Sequence, residues 1–273
     1  MSYREFPPPP SLKSIVRCVW TFSADFGRDH NDERIAPDGF PELIFHFGTP
    51  YRELDAAGRW RAQPKALLAG NLTQPLLLRS IGRVGVLGIR LWPHGVGRFV
   101  DGHVVETLNV RMALGGGQRN RIDAILRKLN GASGKDALCA AAVDLVELLS
   151  RKEFLDDKTA DAAVREIVAA RGQGQVEHWA DTVGLSQRQL ERRMIAATGM
   201  SPKLFASIIR FRSVFDELQA GKPSAWLKAA VDSGYFDQAH MVRAFNRFAG
   251  QPPREYLRSA GLLSSALVQS AAK

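Results

Sequence analysis

Arg188, Glu191 and Arg192 stand close together in a polar segment that follows Gly184-Leu185-Ser186. Arginine can donate two parallel hydrogen bonds to guanine, and glutamate can accept one from the cytosine amino group, so this set has the chemistry to read base edges. The helix that carries them needs an inward face, and Leu190 with Met194 supplies it as an i, i+4 pair. The two arginines then fall roughly 160–200° from Leu190, on the outer side. Ser186 is placed to cap this helix by accepting an orphan backbone N–H. Gln187 and Arg193 complete the first candidate DNA-binding set.

A second set lies further along. Asp237 is its cap, Met241 and Phe245 point inward, and Gln238, Ala239, His240, Arg243 and Arg247 take the outer sides. This outer stripe is the less polar of the two, so more base discrimination is expected from the first helix, with Ala239 available for a thymine methyl. Arg243 reads either as an anchor on the bases or as a phosphate contact or internal ion pair. His240 reads as a solvated or phosphate-facing residue.

The elements that position both sets repeat. Trp179 to Arg212 and Trp226 to Arg258 each run through a glycine-closed helix, a polar helix, a turn and an aromatic residue. Ala180, Gly184, Leu190 and Arg192 answer to Ala230, Gly234, Met241 and Arg243. Gly199, Pro202 and Phe205 answer to Gly250, Pro253 and Tyr256 at the same spacing. Such agreement points to an internal duplication. A helix, a tight turn and a second helix with long polar side chains outward is the geometry that fits a major groove. Between the copies, Ser201 to Leu218 carries Phe205, Ile208, Ile209, Phe211, Phe215 and Leu218, enough for a shared central helix, with Pro202 in its first turn. One rigid connector would hold the two reading helices about one DNA turn, ~34 Å, apart.

The chain has 273 residues and a net charge of +9. That length allows two compact domains, and 45% hydrophobic with 24% charged residues is ordinary for a protein with a sizeable core. From Ser186 to Arg212 the cations Arg188, Arg192, Arg193, Lys203, Arg210 and Arg212 face Glu191 alone, a window suited to a phosphate-contacting surface. No apolar run approaches the ~20 residues that span a bilayer, and the start of the chain lacks a secretory pattern. Cys18 and Cys139 match no metal or redox spacing, which suits reduced thiols in a cytoplasmic protein.

The front of the chain is of a different kind. Phe6 to Pro10 is an extended lead-in, Ser14 to Phe22 a strand, Gly27 to Arg34 a charged loop, Pro37-Asp38-Gly39 a turn, and Glu42 to Phe47 a second strand. Pro50 to Pro64 is polar and broken, and short apolar runs follow at 66–69, 76–78 and 84–91. Many short strands between turn residues predict an antiparallel sheet or small barrel. After Trp92-Pro93 helices take over. Ile122, Ile125, Leu126 and Leu129 form an amphipathic stripe after the Gly115–Gly117 break, and Leu138, Val143, Leu145, Val146, Leu148 and Leu149 mark another helix. These stripes pack either on their own domain or on a second subunit. Lys152 to Thr159 reads as a linker.

Gly184-Leu185-Ser186, Gly199-Met200-Ser201-Pro202 and above all Gly234-Tyr235-Phe236-Asp237-Gln238-Ala239-His240, with Arg243 and Phe245, resemble the DNA-binding domain of AraC-family transcriptional regulators. The resemblance covers about 100 residues and implies a seven-helix module with two helix-turn-helix units that binds promoter DNA and contacts RNA polymerase or excludes it. It carries recognition positions over to Arg188, Glu191 and Arg192, and to Gln238, Ala239 and Arg243. Two departures stand out: Phe236 where the family often has Ser or Ala, which bears on the cap, and Met194-Ile195 in place of a usual Phe. The front segment, through Pro37-Asp38-Gly39 with Glu42-Leu43-Ile44-Phe45 and Gly88 to Pro93 with Gly95, is similar to an uncharacterised domain found ahead of such modules, which implies a cupin-like β sensor.

The expected architecture is therefore α+β in two domains. Residues 1–155 form a sensory or dimerisation domain (β-rich 1–93, helical 94–155), 160–262 the reader with its units at 176–198 and 225–249, and 263–273 a tail. The expected function is sequence-specific regulation of transcription, as an activator or a repressor, under a small-molecule effector or a homodimer contact, with no membrane and no cofactor. Asp38, Glu42, Arg90 and Trp92 are the candidate effector-binding residues, set among aromatics at strand ends. His30, His46, His94 and His103 are too scattered for a metal site. Two other classes stay in view. An alkyl-transfer enzyme fused to a DNA module would need a reactive cysteine, and a nucleoid binder would hold all duplexes alike.

Overall fold

The fold was described from a computed structural model, for residues 2–129, 134–151, 154, 156–220 and 233–259. Trp226 and Ala230 of the second repeat, and the tail, lie outside these residues.

The front domain is one antiparallel sheet in the order β1-β2-β7-β3-β6-β8, with the β4–β5 hairpin set against β7. Its strands are β1 (Ser2–Phe6), β2 (Val16–Ile35), β3 (Glu42–His46), β4 (Arg52–Leu54), β5 (Trp60–Ala62), β6 (Ala66–Ala69), β7 (Leu76–Leu91) and β8 (Arg111–Ala113). The sheet is not closed: β1 pairs only with β2 and β8 only with β6, so it is barrel-like only in part.

Three expectations are corrected here. The charged stretch from Gly27 to Arg34 is not a loop but the outer half of the 20-residue β2, and the runs at 76–78 and 84–91 are one 16-residue strand, β7. The two pair from Val16↔Leu91 to Ile35↔Leu76, interrupted where the residues between Asp25 and His30 face Gly82. Gly27 and Gly82 both have positive φ, so these glycines absorb a bulge instead of turning the chain. The stretch from Pro50 to Pro64 also pairs, as a hairpin closed by Asp55, whose carboxylate accepts from the Ala57 and Arg59 N–H groups. Its strands are exposed or half-buried, with no residue in the core, so they show no apolar alternation.

Alternation sends one face of the sheet to each of two cores. Val19, Leu43, Phe45, Leu87, Ile89 and Leu91 pack with Ile122 and Leu126 of α1 (Arg119–Leu129) and Leu138 and Leu145 of α2 (Lys135–Leu149). The amphipathic stripes are thus covered within the domain. Trp20, Phe22, Ile44, Leu67, Val84 and Val86 make the opposite face, which also carries Glu42 and Arg90. Gly88 lies under Trp20, and a Cβ there would come within 2.1 Å of the indole.

The second domain comprises α3 (Lys158–Ala169), α4 (Val176–Thr182), α5 (Gln187–Thr198), α6 (Pro202–Ala220), α7 (Gln238–Phe248) and α8 (Pro253–Ser259). Helix α3 starts inside the expected linker, because the Asp157 carboxylate accepts from the N–H groups of Thr159 and Ala160. The core gathers Trp179, Leu190, Met194, Phe205, Phe211, Met241, Phe245 and Tyr256, and Phe40 of the front domain joins it. Gly39, at φ +85°, brings that loop against Phe205 and Ile209. Asn71 Nδ2 donates to the Thr198 carbonyl at 3.2 Å, so the front domain also holds the end of α5.

Candidate DNA-reading surface and the cavity behind it

Gly184, at φ +69°, ends α4, and Leu185 N–H returns to the Ala180 carbonyl at 2.9 Å. Ser186 then opens α5 with a full capping box. Its hydroxyl accepts from Gln189 N–H, and the Gln189 side chain accepts from Ser186 N–H at 2.9 Å. Gly199 closes the helix in the left-handed region. Leu190 and Met194 are fully buried, which fixes the rotation of α5 and leaves Ser186, Gln187, Arg188, Glu191 and Arg192 exposed on one surface. Arg193 is placed differently: Nη1 binds both Asp157 carboxylate oxygens at 3.0 and 3.1 Å, tying α5 to the cap of α3.

The second unit is built alike. Asp237 caps α7 by accepting from His240 N–H at 2.6 Å, and Met241 and Phe245 are buried. Gln238, Ala239, Arg243 and Arg247 are exposed, while His240 is half-buried against the Tyr235 ring at 5.1 Å. Phe211 of α6 joins the units, with ring centroids 4.9 Å from Phe245 and 5.4 Å from Phe248.

The basic window does not all face outward. Arg210 donates to the Gly172 carbonyl, and Arg212 is 9% exposed, with Nη1 3.9 Å from Asp38 and its guanidinium over Phe40. Both are drawn inward because α6 is the central helix, with core on most of its circumference. The correction is that these two arginines serve the fold and the cavity, not a phosphate surface.

That cavity lies between the second sheet face and α6. Strand register sets Glu42 opposite Arg90, and Glu42 Oε1 accepts from Arg90 Nε at 2.9 Å and from Trp20 Nε1 at 3.0 Å. Arg90 is 2% exposed and also lies 3.3 Å from Asp38. Burial pushes the Glu42 carboxyl up, and the adjacent Arg90 charge opposes that. Asp38, Glu42 and Arg90 thus converge on one cavity, whereas Trp92 does not line it. Trp92 packs on Phe40 instead and takes the guanidinium of Arg165 at 4.3 Å. The wall also takes in Ile35, Ile44, Leu67, Leu76, Leu78 and Val86 from the sheet, Arg111, and Arg212, Phe215 and Tyr256 from the second domain. Tyr51 was not singled out by its sequence. It sits in the stretch that looks broken, yet it is 2% exposed, lines the cavity, and its hydroxyl has no hydrogen-bond partner among the described residues.

His46, beside Tyr51, gives a pH signature. It is 2% exposed with Nε2 3.2 Å from Gln63, and burial lowers its pKa to about 4. A base depressed in the fold stays neutral there, so its contribution is lost as pH falls from its ordinary 6.5 toward 4. This loss comes to about 3 kcal/mol. The urea midpoint of His46→Gln should therefore fall less between pH 7 and pH 4.5 than that of the native chain. Parallel profiles would remove the assignment. His94 is buried at the domain contact with Nε2 on the Ser14 carbonyl, while His30 and His103 are exposed. Among the described residues no three His, Cys, Asp or Glu gather to hold a metal ion.

Residues 179–259 match the family described as a helix-turn-helix domain, over the two capped units just built. The chain carries a helix-turn-helix domain. Residues 4–113 match a domain of unknown function, DUF6597, which takes in the sheet from the middle of β1 through β8. No curated protein matches the chain. Its fold is that of ToxT from Vibrio cholerae. An apo ToxT structure is 11% identical with a TM-score of 0.51, covering 94% of this chain and 100% of ToxT. A second ToxT structure is 12% identical at 0.50, covering 88% and 97%. A third, bound to (E)-4-(8-methylnaphthalen-1-yl)but-3-enoic acid, is 11% identical at 0.50, covering 95% and 99%. Among the described residues no helix is long and apolar enough to cross a membrane.

Proposed function

We propose that the protein is an AraC-type transcriptional regulator that reads two neighbouring stretches of one promoter duplex with α5 and α7, and that an effector in the cavity governs how they act together. Arg188, Glu191 and Arg192 take bases from α5, and Gln238, Ala239 and Arg243 from α7, while the exposed caps and Arg247 meet phosphates. RNA polymerase is the protein partner of this reading.

One observation carries the control: α6, which connects the two units, is also a wall of the cavity through Arg212 and Phe215. Phe215 lies 5.4 Å from Phe245 on the buried side of α7. An occupant therefore touches the aromatic cluster on which the second reader is mounted. The aliphatic lining, the Tyr51 hydroxyl and the three guanidiniums of Arg90, Arg111 and Arg212 against the two carboxylates of Asp38 and Glu42 favour an apolar organic acid. The naphthyl-butenoic acid held by ToxT belongs to that chemical class.

The reading takes the chain as a binder and not as an alkyl-transfer enzyme. Burial pushes the Cys18 thiol up to about 12 and also raises Cys139, so neither is a thiolate at neutral pH. Selection from a random duplex library with the full chain tests the function. An enriched site should bind roughly 10³-fold or more above scrambled duplex. Arg192→Ala should cost ~1–3 kcal/mol on that site and relax one base position. Equal affinity for all duplexes would instead mark a nucleoid binder, and a uniform loss in the variant would make Arg192 a phosphate contact. A series of apolar carboxylic acids should raise the Tm and change operator affinity together if the cavity is the control site.

A further inference from the structure

Phe236 is 92% exposed. The other exposed large apolar side chains among the described residues are Val105 at 47%, Val110 at 42% and Ile195 at 37%. Helix entry does not account for Phe236. It immediately precedes the Asp237 cap, where an apolar residue often staples itself onto the fourth helical residue, here Met241. Yet Met241 is 1% exposed and packed in the core, and Phe236 stands clear of it. Tyr235, one residue earlier and 5% exposed, supplies the inward aromatic and meets His240 edge-on. The cap is made by the Asp237 carboxylate alone, so it does not need an aromatic neighbour.

The position of Phe236 names its occupant. It sits at the N-terminal end of α7, the end of a reading helix that contacts base edges. Exposed Gln238, Ala239 and Arg243 follow it, and Arg243 and Arg247 give this helix the positive charge that faces a duplex. In the major groove the apolar group on offer is the 5-methyl of thymine. We propose that Phe236 contacts a thymine methyl and sets a base preference in the half of the site read by α7. This rests on α7 being a reader. A side chain that leaves folding untouched and is apolar at a groove-facing end acts by discriminating thymine from cytosine. The position that answers to Phe236 in the first unit is Leu185, which is half-buried against the core.

The test uses the full chain on its selected duplex, with each thymine replaced singly by deoxyuracil, which removes the methyl and leaves every hydrogen bond. One replacement in the α7 half-site should weaken native binding about fourfold, the factor of one apolar carbon. Phe236→Ser should lose a similar factor on the unmodified duplex and be insensitive to that replacement, with an unchanged Tm. Arg243→Ala is measured alongside. If it weakens binding while Phe236→Ser binds as the native chain does, or loses affinity equally with and without the methyl, the thymine contact is overturned and α7 remains a reader. If both substitutions are silent, the contact and the reading of α7 fall together.

Discussion

Arg90→Leu should lower the stability of the native chain by about 3–5 kcal/mol, the range for breaking a buried ion pair from one side. Arg90 is 2% exposed and Glu42 is largely buried across from it, both pointing into the face that also holds Trp20. The leucine fits an apolar wall, so the loss comes from the stranded Glu42 carboxylate, with only the Trp20 N–H left to satisfy it. A double variant, Arg90→Leu with Glu42→Leu, should recover most of that loss, because it removes both charges together. The pH profile separates this cause from simple cavity formation. Burial already pushes Glu42 up, and without Arg90 nothing comparable opposes it. An acid raised in the fold binds its proton more tightly there than in the unfolded chain. The deficit of the single variant should then be small below the ordinary 4.5 and grow as pH rises through it. Urea midpoints of single and double variants at pH 4 and pH 7 measure both effects. A deficit independent of pH, or a double variant no better than the single one, would mean that Glu42 is solvated through the cavity.

The reader was legible in the sequence because its signals are local. Ser186 and Asp237 cap the helices they precede, and Leu190 with Met194 and Met241 with Phe245 set the helix faces, all within one or two turns. The sheet was legible in its buried strands, where Leu43 and Phe45 alternate with Ile44, and not in its long ribbon. There β2 and β7 run out to solvent, so charged residues such as Asp32 and Arg79 pair across strands that carry no apolar alternation. Gly27 and Gly82 look like turn residues and are a bulge. The cavity was half legible. Asp38, Glu42 and Arg90 share one end of the sheet, but Arg212 reaches it from a segment far away in sequence and Tyr51 from the stretch without apolar alternation, and no spacing rule links them. Trp92 illustrates the reverse case: two residues after Arg90, it would share that face if β7 continued, but the strand ends at Leu91 and the 3-10 turn from Pro93 leaves Trp92 against Phe40 and Arg165.

The connector between the readers makes the second large prediction. Phe211 is fully buried in the middle of α6, with Phe215, Phe245 and Phe248 at centroid distances of 5.2, 4.9 and 5.4 Å. Phe211→Ala should cost about 3–5 kcal/mol, since neither α6 nor α7 can collapse into the gap without giving up its other contacts. Its effect on DNA should be uneven. The first unit keeps Trp179, Leu190 and Met194 around α5, and the front domain still holds Thr198 through Asn71. The second reader loses the ring against which Phe245 and Phe248 pack. Duplexes altered in the α5 half-site should therefore still be discriminated by the variant, while alterations in the α7 half-site should cost it less than they cost the native chain. Phe211→Leu, which keeps most of the volume, should fall between the two in both stability and discrimination. If Phe211→Ala instead weakens both halves in the same proportion, the two units behave as one rigid body that does not depend on this contact. Control through the Phe215 wall would then have to act on the whole reader at once.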